Sequence, residues 1–226
     1  AGLEYYFMPL INTSLYGRLK DESTIDIRLN ENKKTSNLRI GFGGYGMVRV
    51  NSKFKIRLGV IYSNYSKRTF DVNIIPGSSS SYFYSYVDFK SGVSYESFSN
   101  SFSQPTQIIL QEELAYLEFP LDFSYKIWKK NKWTADLIAG AATSFLIKNR
   151  LNAITESDTL VVLGENRNYS KNILSIRLGA GIYYDFSNRL ALRLELVSKP
   201  TLGTFQTSQT DNPILLNTNF GIVIKL

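Results

Sequence analysis

Read in steps of two, the chain separates oily from polar positions most sharply between Tyr116 and Trp133. Leu117, Phe119, Leu121, Phe123 and Tyr125 fall on one face; Tyr116, Glu118, Pro120, Asp122, Ser124 and Lys126 fall on the other. A strand sends alternate side chains to opposite faces, so this stretch predicts a strand with one apolar and one charged side. Pro120 cannot donate to a ladder, which predicts a bulge or irregular pairing there. Seven further runs alternate in the same way: 3–11, 38–50, 54–65, 133–147, 173–186, 190–196 and 216–226. The connections between them run long, short, long, short, long, short, long. The short ones are Asn51-Ser52-Lys53, Lys129 to Lys132 and Ser187-Asn188-Arg189; the long ones are 12–37, 71–107, 148–171 and 198–213.

An even strand count with sorted connections is the pattern of an outer-membrane barrel, with short periplasmic turns and longer extracellular loops. The expected fold is all-β: a single domain over 1–226, an eight-stranded antiparallel up-and-down transmembrane β-barrel with both termini periplasmic. A lipocalin-like soluble barrel also has eight strands, but its interior is apolar and its outside polar. Here the apolar face runs for about nine residues in several strands, the length a tilted strand needs to cross a bilayer. The opposite face carries both charge signs, often beside glycine. Arg39, Arg57, Arg177 and Arg193 with Glu118, Asp122, Asp136 and Glu195 are the expected lumen charge network. Eight strands leave an interior that side chains can fill, so a plugged lumen is expected. Trp128 and Trp133, flanking a basic turn, are expected in an interfacial girdle with Tyr184 and Phe186.

Composition fits this reading. The 226 residues include 15 Tyr and 14 Phe, both strand formers, and no Cys or His. No apolar run approaches the roughly 18 residues of a helical span, and the mean hydropathy is near neutral at -0.14. A barrel of this kind requires export, so a segment removed or omitted before Ala1 is expected. The net charge of +7 is scattered over strands and turns without a dense basic helix, and no nucleic-acid partner is expected. Partners are expected instead in outer-membrane lipid and lipopolysaccharide, and in other outer-membrane or periplasmic protein subunits.

The missing His removes the usual base for a hydrolase or acyltransferase. A Ser nucleophile would need Lys or a carboxylate, and nothing marks such a site. No enzyme activity and no cofactor are expected. Asp21-Glu22, the nearest acidic cluster, reads as a solvated turn rather than a metal site. Glu118 and Asp122 share a face and could suggest acid–base chemistry; pairing with Arg39, Arg57 or Arg177 as lumen filling is the competing reading. The aromatic-serine stretch with Tyr82, Phe83, Tyr84, Tyr86, Phe89, Tyr95 and Phe98 is the candidate extracellular interaction loop. A self-packed cap over the barrel is its alternative.

Three segments resemble a known family. Tyr116-Leu117-Glu118-Phe119-Pro120-Leu121 is similar to the Y-L-E-[IF]-P-L strand of the PorT-like outer-membrane β-barrel family of Bacteroidota. Leu178-Gly179-Ala180-Gly181-Ile182-Tyr183-Tyr184-Asp185-Phe186 resembles its L-G-A-G-Y strand. The closing Asn219 to Leu226 resembles its final strand, though Leu226 stands where an aromatic is more usual. These are barrel-building residues, and no catalytic or binding residue carries over. The resemblance implies an outer-membrane barrel acting as an accessory or structural subunit of an envelope secretion or assembly machine. A free-standing barrel whose loops bind a ligand or surface is the alternative.

Overall fold

Period-two alternation produces strands wherever the sequence shows it, and closure of the sheet leaves each barrel strand with two neighbours. The computed structural model describes residues 4–17, 25, 29, 31–77, 87–156, 158–204 and 214–226. Eight long strands form the wall: β1 (Glu4–Gly17), β3 (Arg39–Arg49), β4 (Phe54–Ile74), β6 (Thr106–Lys130), β7 (Trp133–Ile154), β9 (Asn172–Asp185), β10 (Leu190–Leu202) and β11 (Ile214–Lys225). Each pairs antiparallel with the next, and β11 pairs back onto β1, so the ladder closes on itself. Closure removes the free sheet edge that would otherwise carry unpaired backbone polar groups.

The three short connections all lie at one end. Asn51 accepts from the backbone N–H of Lys53 and of Phe54 (both 2.9 Å), an Asx turn that fixes the β3–β4 hairpin. Asn131 holds the left-handed conformation (φ 53°) in the two-residue turn between β6 and β7, where Asn is among the few residues that tolerate it. Ser187 accepts from Arg189 and Leu190 at the third turn. β1 begins and β11 ends at this same end.

The opposite end is more built than the sequence pattern suggests. The stretch 71–107, expected as one irregular loop, contains the end of β4, the short strand β5 (Val87–Phe89), helix α1 (Tyr95–Ser99) and the start of β6. The strand β2 (Lys34–Asn37) pairs with β4, and β8 (Leu160–Asn166) joins β7 to β5. With 25 residues at roughly 3.3 Å each, β6 runs far beyond the 9–11 residues that cross a bilayer. The wall therefore continues past the membrane as a raised collar.

Pro120 breaks the ladder less than expected. Its strand keeps register with β7 opposite Ala142. Toward β4, pairing lapses beside Pro120, between the Leu58–Leu121 and Ile61–Glu118 pairs, but resumes without a slip. One missing donor interrupts the ladder, and the two neighbouring strands hold the register.

Side-chain direction decides what kind of barrel this is. Phe7, Phe42, Leu58, Leu121, Phe123, Leu137, Ile176, Leu178, Leu194 and Ile222 are exposed on the outside. Arg57, Arg177 and Arg193 point inward and are 0–1% exposed. A soluble lipocalin-like barrel would show the reverse. No helix of the described residues is long and apolar enough to cross a membrane.

Candidate functional site: the charged layer of the lumen

Four cations and four carboxylates meet at mid-barrel: Arg57, Arg177, Arg193 and Lys199 with Glu118, Asp122, Asp136 and Glu195, all at most 2% exposed. Inward parity puts them there. β4 contributes Arg57, β6 Glu118 and Asp122, β7 Asp136, β9 Arg177, and β10 Arg193, Glu195 and Lys199. An isolated charge buried in this way would be prohibitively costly, so the layer depends on pairing.

The pairing is dense. Arg57 donates from Nη2 to Glu195 Oε2 (3.1 Å), its Nη1 forms an ion pair with Oε1 at 2.8 Å, and it lies 3.7 Å from Asp122. Arg177 donates from Nε to Asp122 Oδ1 (2.8 Å) and from Nη2 to the Tyr45 hydroxyl (2.7 Å). Arg193 grips both oxygens of Asp136 (2.9 and 3.1 Å) and also contacts Glu195. Lys199 donates to Glu118 (2.6 Å) and to the Tyr65 hydroxyl (3.0 Å). Ser124 donates to Asp136, and Asn219 donates to Glu195 (3.0 Å). Charge-assisted and bidentate bonds of this type are the stronger class of hydrogen bond. Glu118 and Asp122 are thus each held by cations, and neither is set up as one half of an acid–base pair.

An apolar cluster lies beside these charges. Tyr6, Met8, Leu10, Tyr45, Met47, Ile61, Tyr183, Ala191 and Val223 form a buried cluster, centred on β1 and β3. Two of its rings face the charged half: Arg57 lies 4.3 Å from the Tyr45 centroid and Arg193 3.9 Å from that of Tyr183. Such contacts stabilise a desolvated guanidinium.

Seven of the eight expected network residues meet in this layer. Arg39 does not. It is 39% exposed and reaches Glu113 at 3.5 Å, outside the lumen layer. The cause is a slip of one residue along β4 between the Phe42–Tyr62 and Asn37–Ser66 pairs, at the top of β3. Asn64 fills the gap by donating to the Ile40 carbonyl (3.0 Å).

Sequence reasoning missed Lys199. Pro200 suggested a loop, whereas β10 continues to Leu202 and keeps Lys199 facing inward. The signal was present as an alternation running Arg193, Glu195, Val197, Lys199. The tyrosines that bond the network were missed too, because Tyr45 and Tyr65 read as generic strand aromatics.

The candidate interaction loop resolves differently. Tyr82, Phe83, Tyr84 and Tyr86 lie outside the described residues. Tyr95 and Phe98 are buried, with Phe89 partly so, in a cluster that includes Ile74, Val87, Ile108, Leu110, Leu151 and Leu163. These two rings are core residues of a cap and present no recognition surface. Helix α1 holds them there through a capping box between Ser94 and Ser97. Trp128 and Trp133 are exposed on the outer wall at the short-turn end. Trp133 packs on Tyr184 (4.8 Å between centroids), and Tyr184 on Phe186 (5.0 Å).

Several solved structures are similar to this chain at low identity. A major outer membrane protein from Thermus thermophilus is 13% identical with a TM-score of 0.49, covering 98% of this chain and 99% of that one. OprG from Pseudomonas aeruginosa is 9% identical with a TM-score of 0.47, covering 99% and 95%. Neisserial surface protein A is 11% identical with a TM-score of 0.45, covering all of both chains. No curated protein matches the chain. The family profile described as "outer membrane protein beta-barrel domain" matches residues 73–198, more than half the chain, and the protein belongs to that family of the bacterial outer membrane.

Proposed function

We propose that this protein is a closed, non-enzymatic barrel serving as an accessory or structural subunit of an envelope machine for protein secretion or outer-membrane assembly. The observation that carries the closed barrel is the balanced layer of four cations and four carboxylates filling the charged half of the lumen. A conducting pore of eight strands would need that space for water. The PorT-like segments, Tyr116 to Leu121 above all, support the subunit role. In this reading the short turns and both barrel termini face the periplasm, the collar faces outward, and partners are lipid, lipopolysaccharide and neighbouring subunits.

Two measurements test it. Planar bilayers containing the protein should show no ion conductance; steady single-channel steps would overturn the closed lumen. Affinity capture from mild detergent should bring down a large partner in fixed stoichiometry. Capture of the barrel alone would favour a free-standing barrel that binds through its loops.

A further inference from the structure

The outer wall is not uniform. Across β1, β3, β4 and β6 it carries an apolar groove of about 920 Å³. Gly44 and Gly46 form its floor, Phe7 and Phe119 flank it on opposite sides, and Phe42 and Tyr62 close its loop end. The floor exists because these two outward positions lack side chains. A Cβ on Gly46 would come no closer than 3.9 Å to another residue, the Leu58 carbonyl oxygen. From Phe42 to Val48 the groove runs about 20 Å along the strand. At a barrel tilt of roughly 40° that is about 15 Å of depth, half of a hydrocarbon core about 30 Å thick.

Directly on the loop side lies a second, polar pocket of about 510 Å³ that shares Tyr62 with the groove. Arg39, Lys148 and Glu113 line it. Lys148 bonds Glu113 at 2.7 Å, and Arg68 reaches the same carboxylate through Gln111. Arg150 stands opposite Glu113 in the ladder and is exposed. Two basic side chains, Arg39 and Lys148, thus contact one carboxylate at the edge of the apolar belt, with Arg68 joined to it through Gln111 and Arg150 across the ladder from it.

We propose that this composite surface is a binding site for one membrane lipid with an anionic phosphate head. An acyl chain lies over Gly44 and Gly46 for the depth of one leaflet. The phosphate sits among Arg39, Lys148 and their basic neighbours, where it supplies the missing negative charge. Charge complementarity selects the head and groove length selects the tail. A second copy of the chain leaves the basic cluster unanswered, because its apolar belt brings no anion to it.

The test uses the full chain reconstituted in vesicles of equal parts phosphatidylglycerol, phosphatidylcholine and diacylglycerol, then extracted for native mass spectrometry. One phosphatidylglycerol should stay bound, in preference to the other two by at least fivefold. Gly46→Leu, which has room for its side chain, should cut that retention at least fivefold. The double variant Arg39→Gln, Lys148→Gln should abolish the preference for the anionic head. Folding of both variants is checked by the heat-dependent shift in gel mobility. Equal retention of all three lipids, undiminished retention in folded Gly46→Leu, or a dimer in place of the lipid adduct would each overturn the proposal.

Discussion

The two halves of this barrel obey opposite rules along the same strands. At mid-barrel, β4, β6 and β7 point Arg57, Asp122 and Asp136 inward and Leu58, Leu121 and Leu137 outward. In the collar, the same three strands point Val72, Ile74, Ile108, Leu110, Leu151 and Ala153 inward. There they carry Arg68, Glu113, Lys148 and Arg150 on the outside. What changed is the solvent around the wall. Lipid accepts apolar side chains, so polar groups retreat into the lumen and must pair there. Water accepts charge, so above the membrane the apolar groups turn inward and make an ordinary core. One irregularity in the ladder falls at the change-over, between Ala115 and Tyr116 on β6; those between Thr69 and Val72 on β4 and between Leu151 and Asn152 in the β7–β8 pairing lie higher, within the collar. Asp71, left-handed at φ 56°, makes the bend in β4.

The contrast breaks hardest at Arg177. Its replacement by Ala leaves Asp122 short of its main partner, Tyr45 without its donor and Glu118 with one cation fewer, all buried. Removing one partner from a buried network costs roughly 3–5 kcal/mol. Urea unfolding of the reconstituted barrel should therefore show a loss of that size in Arg177→Ala. A loss under about 1 kcal/mol would mean that the charged layer is not cooperative.

Phe98→Ala tests the collar by its own rule. Truncating a buried Phe costs about 3 kcal/mol or more where the site cannot collapse. The loss should stay local, because Phe98 sits on α1 outside the closed ladder. Limited proteolysis should cut the 90–105 segment faster in the variant, while β6 and β7 below it remain protected. Co-loss of protection in the membrane strands would show that the two halves fold as one unit.

A paired substitution sharpens the solvent argument. Leu121→Arg puts a cation on the lipid face and should cost roughly 2–4 kcal/mol. Asn73→Arg puts the same side chain on the exposed collar and should change stability by less than about 0.5 kcal/mol. Equal effects in refolding from urea would refute the inversion.

That inversion also explains what the sequence disclosed and what it hid. Period two sets the strands and their two faces, and the short turns set one end, so parity alone assigns the charged residues to the lumen. Which cation meets which carboxylate was not legible. Arg57 stands beside Asp122 in the ladder but donates to Glu195 across the barrel, a contact set by the stagger of all eight strands. Arg39 was misassigned because a one-residue slip leaves no local mark. The collar read as loop because its apolar positions, Ile74, Val87, Tyr95 and Phe98, belong to short pieces whose core is assembled from distant segments. Its polarity is also reversed relative to the strands that set the expectation.

The smallest effect is expected where the collar is tied at its rim. Asp88 on β5 accepts from Arg167 at 2.8 Å, with both side chains more than half exposed. The hydrogen bond, and then the charge of Arg167, hold the Asp88 carboxyl below its ordinary value. A folded pKa lowered in this way adds stability above the unfolded value of about 3.9, and that stability is lost as pH falls through the folded value. Hydrogen exchange at β5, corrected for intrinsic rates, should therefore be flat from pH 8 to about pH 5. Below about pH 4 it should quicken. Asp88→Asn should start from slightly weaker protection and lose the acid-linked step. An unchanged step in that variant would assign it to another carboxylate. The barrel strands should show no matching step at this titration, since each is held on both sides by the closed ladder and this exposed pair holds only one short strand of the collar.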